Sequence, residues 1–139
     1  MAKGKQHLIA GRCYCGAVRY KIQGEIEHVC ICHCRSCQLA SGAPCVGWLT
    51  VERSQVMLSG ALNECYGAPQ VQRCYCANCG TPISYSHSAR PDHVDITLAT
   101  LEDQSAVQPS RHIWVSHKVP WLSLVDGLPQ FDEFSGAMD

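Results

Sequence analysis

Eleven cysteines in 139 residues dominate the chemistry open to this chain, and most of them fall into short clusters whose spacing suits a soft cation. The densest stretch is CICHCRSCQLASG, residues 30 to 42, with cysteines at 30, 32, 34 and 37 and His33 between two of them. Cys13 and Cys15 make a CxC pair in GRCYCGAVRY, and Cys76 and Cys79 a CxxC pair in CYCANCGTP. An odd cysteine count argues against a complete disulfide framework, and no apolar stretch in MAKGKQHLIAGRC is long enough for a signal peptide. Thiolates converging from CxC and CxxC pairs point to zinc. The solitary Cys45 and Cys65 are expected to be buried small hydrophobes.

Spacing sorts the ligands into two centres. Cys13, Cys15, Cys76 and Cys79 come from two expected turns, each beside a strand and each with a glycine directly after its second cysteine. Four such thiolates close a tetrahedral structural site and tie two distant strands together. Cys74 is a rival ligand, because strand alternation puts it on the same face as Cys76. The CxCxxC of Cys32, Cys34 and Cys37 offers only three thiolates, and an open fourth position is the mark of a catalytic zinc. Cys30 is the alternative fourth ligand, since it shares a face with Cys32 if residues 28 to 32 are extended.

The neighbours of this second centre carry two readings each. His33 either relays a proton or donates to a sulfur, or else points away as the alternating neighbour of a ligand. Arg35 either meets an anionic substrate or lies solvated. His112 and Trp114 in RHIWV alternate onto one strand face and line either a pocket or the core. Trp48, Trp114 and Trp121 are expected to serve packing.

The elements that must hold these residues read as mainly β. AVRYKIQG (17 to 24) alternates Val18, Tyr20 and Ile22 against Arg19, Lys21 and Gln23, and residues 46–51, 56–60, 71–76, 82–86, 93–101 and 112–116 are further strand candidates between Gly and Pro breaks. The one helical candidate is CRSCQLAS, 34 to 41, where Cys34 and Cys37 share one face of a single turn. VPWLSLVDGLPQFDEF reads as an extended, packed tail with at most one turn of helix. Length and 46% apolar content suit one domain over 1–139, its core about 8–131 and its end, 132–139, frayed.

Eleven Lys+Arg against 12 Asp+Glu give no basic excess for nucleic acid, and no apolar run is long enough to span a membrane. The expectation is a soluble cytoplasmic protein. Oligomeric state is left open by the sequence.

The segments GRCYCGAVRY, CICHCRSCQLASGAP, RCYCANCGTPISY, DITLATLED and HIWVSHKVPWLSLVDGLPQF, in that order from Gly11 to Phe131, resemble the glutathione-dependent formaldehyde-activating enzymes, a family that also includes the centromere protein V group. The resemblance implies a β-tent fold with short strands, little helix and two zinc ions per chain. By motif it implies Cys13, Cys15, Cys76 and Cys79 as structural ligands, and Cys32, Cys34 and Cys37 as the catalytic-type ligands. It further implies a carbon-sulfur lyase that joins glutathione, or a related thiol, to formaldehyde or another small aldehyde. A non-catalytic zinc-binding structural or interaction module is the alternative.

Overall fold

The alternation around Val18, Tyr20 and Ile22 survives folding, for all three side chains are buried. In the computed structural model, which describes residues 6–134, Val18 directly precedes and Tyr20 and Ile22 lie within the second strand of a hairpin of β1 (Gln6–Arg12) and β2 (Arg19–Glu25). With β5 (Val56–Ser59) this hairpin forms a three-stranded antiparallel sheet in the order β1-β2-β5.

A second sheet holds seven strands. These are β3 (His28–Cys32), β4 (Val46–Glu52), β6 (Leu62–Ala68), β7 (Val71–Cys76), β8 (Pro82–His87), β9 (His93–Thr97) and the two-residue β10 (His112–Ile113). Their order is β10-β3-β4-β9-β8-β7-β6, antiparallel except where β10 runs parallel to β3. The fold is mainly β, and the single α-helix among the described residues, α1 (Arg35–Ser41), follows β3. Among the described residues no helix is long and apolar enough to cross a membrane.

The two faces of the larger sheet do different jobs. Leu49, Val51, Val94 and Ile96 pack against Ile9, Tyr20 and Ile22 of the smaller sheet to make the main core. Each such side chain contributes about 1.5–3 kcal/mol through burial. The alternate residues point the other way. On that second face Cys30 lies opposite Trp48, and a cross-strand row runs Thr50, Asp95, Tyr85, Arg73, Cys65.

Several expectations are corrected. The strand expected over 112–116 stops at Ile113, because Trp114 takes a left-handed conformation at φ 58° and a 3-10 turn follows over Val115–His117. His112 and Trp114 therefore do not share a strand face. The strand expected over 93–101 ends at Thr97 in another 3-10 turn, Leu98–Thr100. Trp121 is 71% exposed rather than packed, in a turn directly after Pro120, and Cys65 is exposed on edge strand β6. The tail past Lys118 is extended, without helix among its described residues. It packs back through hydrogen bonds from His112 N to Pro129 O (2.9 Å) and from Phe131 N to His112 O (3.0 Å). The frayed end expected over 132–139 lies outside the described residues from 135 onward.

Candidate metal centres

Two turns of matching geometry build the first centre. Cys13 N donates to Val18 O (3.0 Å) and Cys76 N to Thr81 O (2.9 Å), so each leading cysteine closes its turn on the residue five positions on. Gly16 and Gly80, directly after the second cysteines, both stand at φ 82°, a left-handed conformation that glycine adopts without strain. The turns are joined by Tyr14 N donating to Thr81 Oγ1 at 3.0 Å. The Sγ atoms of Cys13, Cys15, Cys76 and Cys79 all lie within 4.8 Å of one another. Cys13 to Cys15 is 3.6 Å and Cys15 to Cys76 is 3.8 Å.

Those spacings are what zinc asks for. A tetrahedron with metal–sulfur bonds of about 2.3 Å has sulfurs about 3.8 Å apart. Backbone amides also point at the sulfurs: Val18 N at Cys13 Sγ (3.2 Å), Ala17 N at Cys15 Sγ (3.4 Å), and Asn78 N and Cys79 N at Cys76 Sγ (both 3.3 Å). Such donors stabilise thiolate over thiol. Hydrogen bonding with Thr81, through its side chain and backbone, holds the Cys79 thiol down at about 5.

Cys74 stays out of this cluster. The register of β7 on β8 shifts between Cys74 and Tyr75, and such an irregularity adds local twist, which undoes the alternation argument for pairing Cys74 with Cys76. Cys74 sits instead against Ser84, and burial raises its thiol.

The second centre forms where β3 hands over to α1. Cys32 ends the strand, and Cys34 caps the helix by accepting from Cys37 N at 3.3 Å. That cap places Cys37 one turn away, on the buried side. The three sulfurs lie within 4.8 Å of one another, with Cys32 and Cys37 3.7 Å apart, again near the tetrahedral edge. Hydrogen bonding with Cys32 and Cys37 lowers the Cys34 thiol, whereas hydrogen bonding with Cys34 and Cys37, with burial, raises the Cys32 thiol and favours its protonated form. A divalent cation entering this set must displace the thiol protons.

Cys30 is not part of the set. It shares a face with Cys32, but two residues along a strand span about 6.6 Å, well beyond a tetrahedral sulfur–sulfur edge. Cys30 packs instead against Trp48 and Ile113, where burial pushes its thiol up to about 12. Under native conditions at neutral pH, iodoacetamide followed by peptide mass mapping should therefore modify the exposed Cys65 first and leave Cys30 unmodified until the chain unfolds. Equal rates at the two positions would mean that the Cys30 thiol is not sealed.

His33 faces away from the sulfurs. Its Nε2 lies 2.9 Å from His112 Nδ1, and His112 Nε2 lies 2.8 Å from Asp126 Oδ2. The carboxylate accepts from His112 Nε2–H, and in that tautomer His112 Nδ1 accepts from His33 Nε2–H. His33 Nδ1 is left buried without a partner. The chain supports the His33 peptide from behind, together with Gln38 Nε2, which donates to His33 O (2.8 Å) and His117 O (2.9 Å). Arg35 is exposed and donates to Gln38 Oε1 (3.0 Å), away from the sulfurs.

The cation that does reach the centre is Arg73. Its Nη2 lies 4.0 Å from Cys37 Sγ, and its guanidinium lies over the Tyr85 ring at 4.9 Å. Sequence reasoning did not single out Arg73 or Asp126, and each meets its partner only through long-range packing. A third cluster, Glu27, Glu52 and His93, is explained as a surface contact in which His93 Nε2 and Glu27 Oε2 are 2.9 Å apart.

Two cavities flank the start of β4. The larger, about 670 Å³, is lined by Arg12, Cys13, Cys45, Thr97 and Glu102 among others and touches none of Cys32, Cys34 and Cys37. The smaller, about 310 Å³, is walled by Ala40 and Ser41 of α1, by Val46 and Trp48, and by Arg73 and Ser84. Its lining likewise includes none of Cys32, Cys34 and Cys37, and Arg73, which lines it and lies 4.0 Å from Cys37 Sγ, is its link to the three-cysteine centre.

A crystal structure of a Rhodobacter sphaeroides protein, a structural-genomics target, matches this fold with a TM-score of 0.57 at 25% sequence identity. The match covers 73% of this chain and 92% of that one. No match is found among curated proteins. Residues 8–117, which contain all seven clustered cysteines and both turns that hold them, fit the family model of the glutathione-dependent formaldehyde-activating enzymes, and the chain belongs to that family.

Proposed function

We propose that this chain is a zinc-dependent carbon-sulfur lyase that joins formaldehyde and glutathione, or a related aldehyde and thiol, into an S-hydroxymethyl adduct. In this reading Cys32, Cys34 and Cys37 are the catalytic-type ligands, and Cys13, Cys15, Cys76 and Cys79 hold the structural zinc. The observation that carries it is the exclusion of Cys30: three sulfurs converge, and no fourth side-chain ligand joins them among the described residues.

Cys32, Cys34 and Cys37 would hold a zinc ion with one position left open, and that ion would supply stabilisation of a substrate thiol in its nucleophilic, deprotonated form. The chain's own residues define the rest of the site. Arg73, 4.0 Å from Cys37 Sγ, offsets the excess negative charge that three thiolates bring. Trp48 and Tyr75 give the neighbouring cavity its aromatic lining, and Trp48 packs on Tyr85 with ring centroids 5.9 Å apart. In the overall reaction the thiol adds across the carbonyl: a carbon–sulfur bond forms, the C=O double bond becomes single, and the thiol proton ends on the aldehyde oxygen.

Exchange NMR of formaldehyde with glutathione tests the reading, with the uncatalysed addition subtracted. The protein should raise the exchange rate above background, and a chelator that strips one of two zincs while circular dichroism stays native should abolish the gain. No acceleration by a fully zinc-loaded protein, with two equally inert zincs, would favour the non-catalytic zinc-binding module instead.

A further inference from the structure

We propose that Arg73 anchors the carboxylate of the substrate thiol, so that the three-cysteine centre selects small carboxylate-bearing thiols over neutral ones. The assignment rests on the reading of Cys32, Cys34 and Cys37 as the thiol-binding centre.

Arg73 is a cation without a carboxylate. Among the described residues the ion pairs involve Arg12, Arg90, His93 and His112, and none reaches Arg73. Its contacts are the Cys37 sulfur and the face of Tyr85, which in turn packs against Trp48. Stacking on an aromatic face fixes the plane of a guanidinium while leaving its edge N–H groups free for a planar acceptor. The same residue lines the 310 Å³ cavity beside α1, close to the lower end of the roughly 300–1,000 Å³ common for small-molecule sites.

The acids nearby in the sheet are otherwise engaged. Asp95, in the same cross-strand row, takes Thr50 Oγ1 at 2.6 Å and Arg90 Nη2 at 3.3 Å. Glu64 precedes Cys65, the cross-strand partner of Arg73, so alternation turns it to the other face, where Tyr66 Oη donates to it at 3.4 Å. An anion arriving with the thiol is thus the missing partner. One guanidinium touching Cys37 and lining the cavity sets a short distance between the sulfur and the carboxylate of the ligand it fits.

Calorimetric titration of the zinc-loaded protein with 3-mercaptopropionate and with 2-mercaptoethanol tests this, in the wild type, Arg73→Gln and Arg73→Lys. The expected result is a wild-type preference for 3-mercaptopropionate that Arg73→Gln erases by roughly tenfold, with 2-mercaptoethanol weakened far less, by the lost counter-charge alone, and Arg73→Lys restoring part of the preference. Zinc content of two per chain in each variant verifies that the centre is intact. Equal weakening of both thiols by Arg73→Gln would make Arg73 only a counter-charge to the thiolates and overturn the anchor. A wild type that binds both thiols without preference overturns the anchor while leaving thiol binding in place. A wild type that binds neither removes the thiol-binding reading and the anchor together.

Discussion

Cys76→Ala is expected to leave most of the chain unfolded at room temperature and to lose the structural zinc, read as absent native near-ultraviolet circular dichroism and a fall in bound metal. Cys76 is 1% exposed and sits in a small core with Cys13, Val18 and Ile83. Its sulfur receives two backbone amides and lies 3.8 Å from Cys15, 61 residues earlier in the chain. Structural zinc sites contribute apparent free energies of about 10–16 kcal/mol in small peptides, whereas a whole domain is stable by about 5–15 kcal/mol. Losing even half of the zinc term is comparable to the entire margin. The packing cost of the deleted sulfur, about 1 kcal/mol, is minor beside it. A variant that melts within a few degrees of the wild type would show that this centre does not hold the fold together.

How much of this was legible in the sequence varies from residue to residue. The cysteine clusters were, because ligand spacing is local: Cys13 and Cys15 lie in one turn, Cys76 and Cys79 in another, and Cys34 and Cys37 on one turn of α1. The alternation of β2 and the helix at 34–41 were legible for the same reason, since one element carries its own period. Strands β1 and β6 were not. Leu8 is 73% exposed while Ile9 is buried, and β6 is an edge strand with nearly every residue exposed, so neither carries a core-facing pattern.

Contacts between distant elements were hidden altogether. Arg73 meets Cys37 across 36 positions, and Asp126 reaches His33 only through His112. Cys30 was ambiguous because alternation reports which face a side chain uses and says nothing of how far along the strand a metal would sit. The separation along β3 decides that point, and Cys30 packs on Trp48 one strand away.

Cys32→Ala should give the opposite outcome from Cys76→Ala: a folded protein with one zinc instead of two and with formaldehyde–glutathione exchange at the uncatalysed rate. Cys32 is the last residue of β3, and its backbone pairs Val46 on one side and Ile113 on the other whatever the side chain. Deleting one sulfur from this small cluster costs about 1 kcal/mol in packing, a few degrees in melting temperature for a domain of this size. The chemical cost is far larger, because two thiolates cannot replace the three that define the centre. The four cysteines Cys13, Cys15, Cys76 and Cys79 are untouched, so melting should remain cooperative and the zinc expected at them should resist chelation. Exchange that continues at the wild-type rate in a folded, one-zinc Cys32→Ala protein would take catalysis away from Cys32, Cys34 and Cys37, and with it the proposed lyase mechanism.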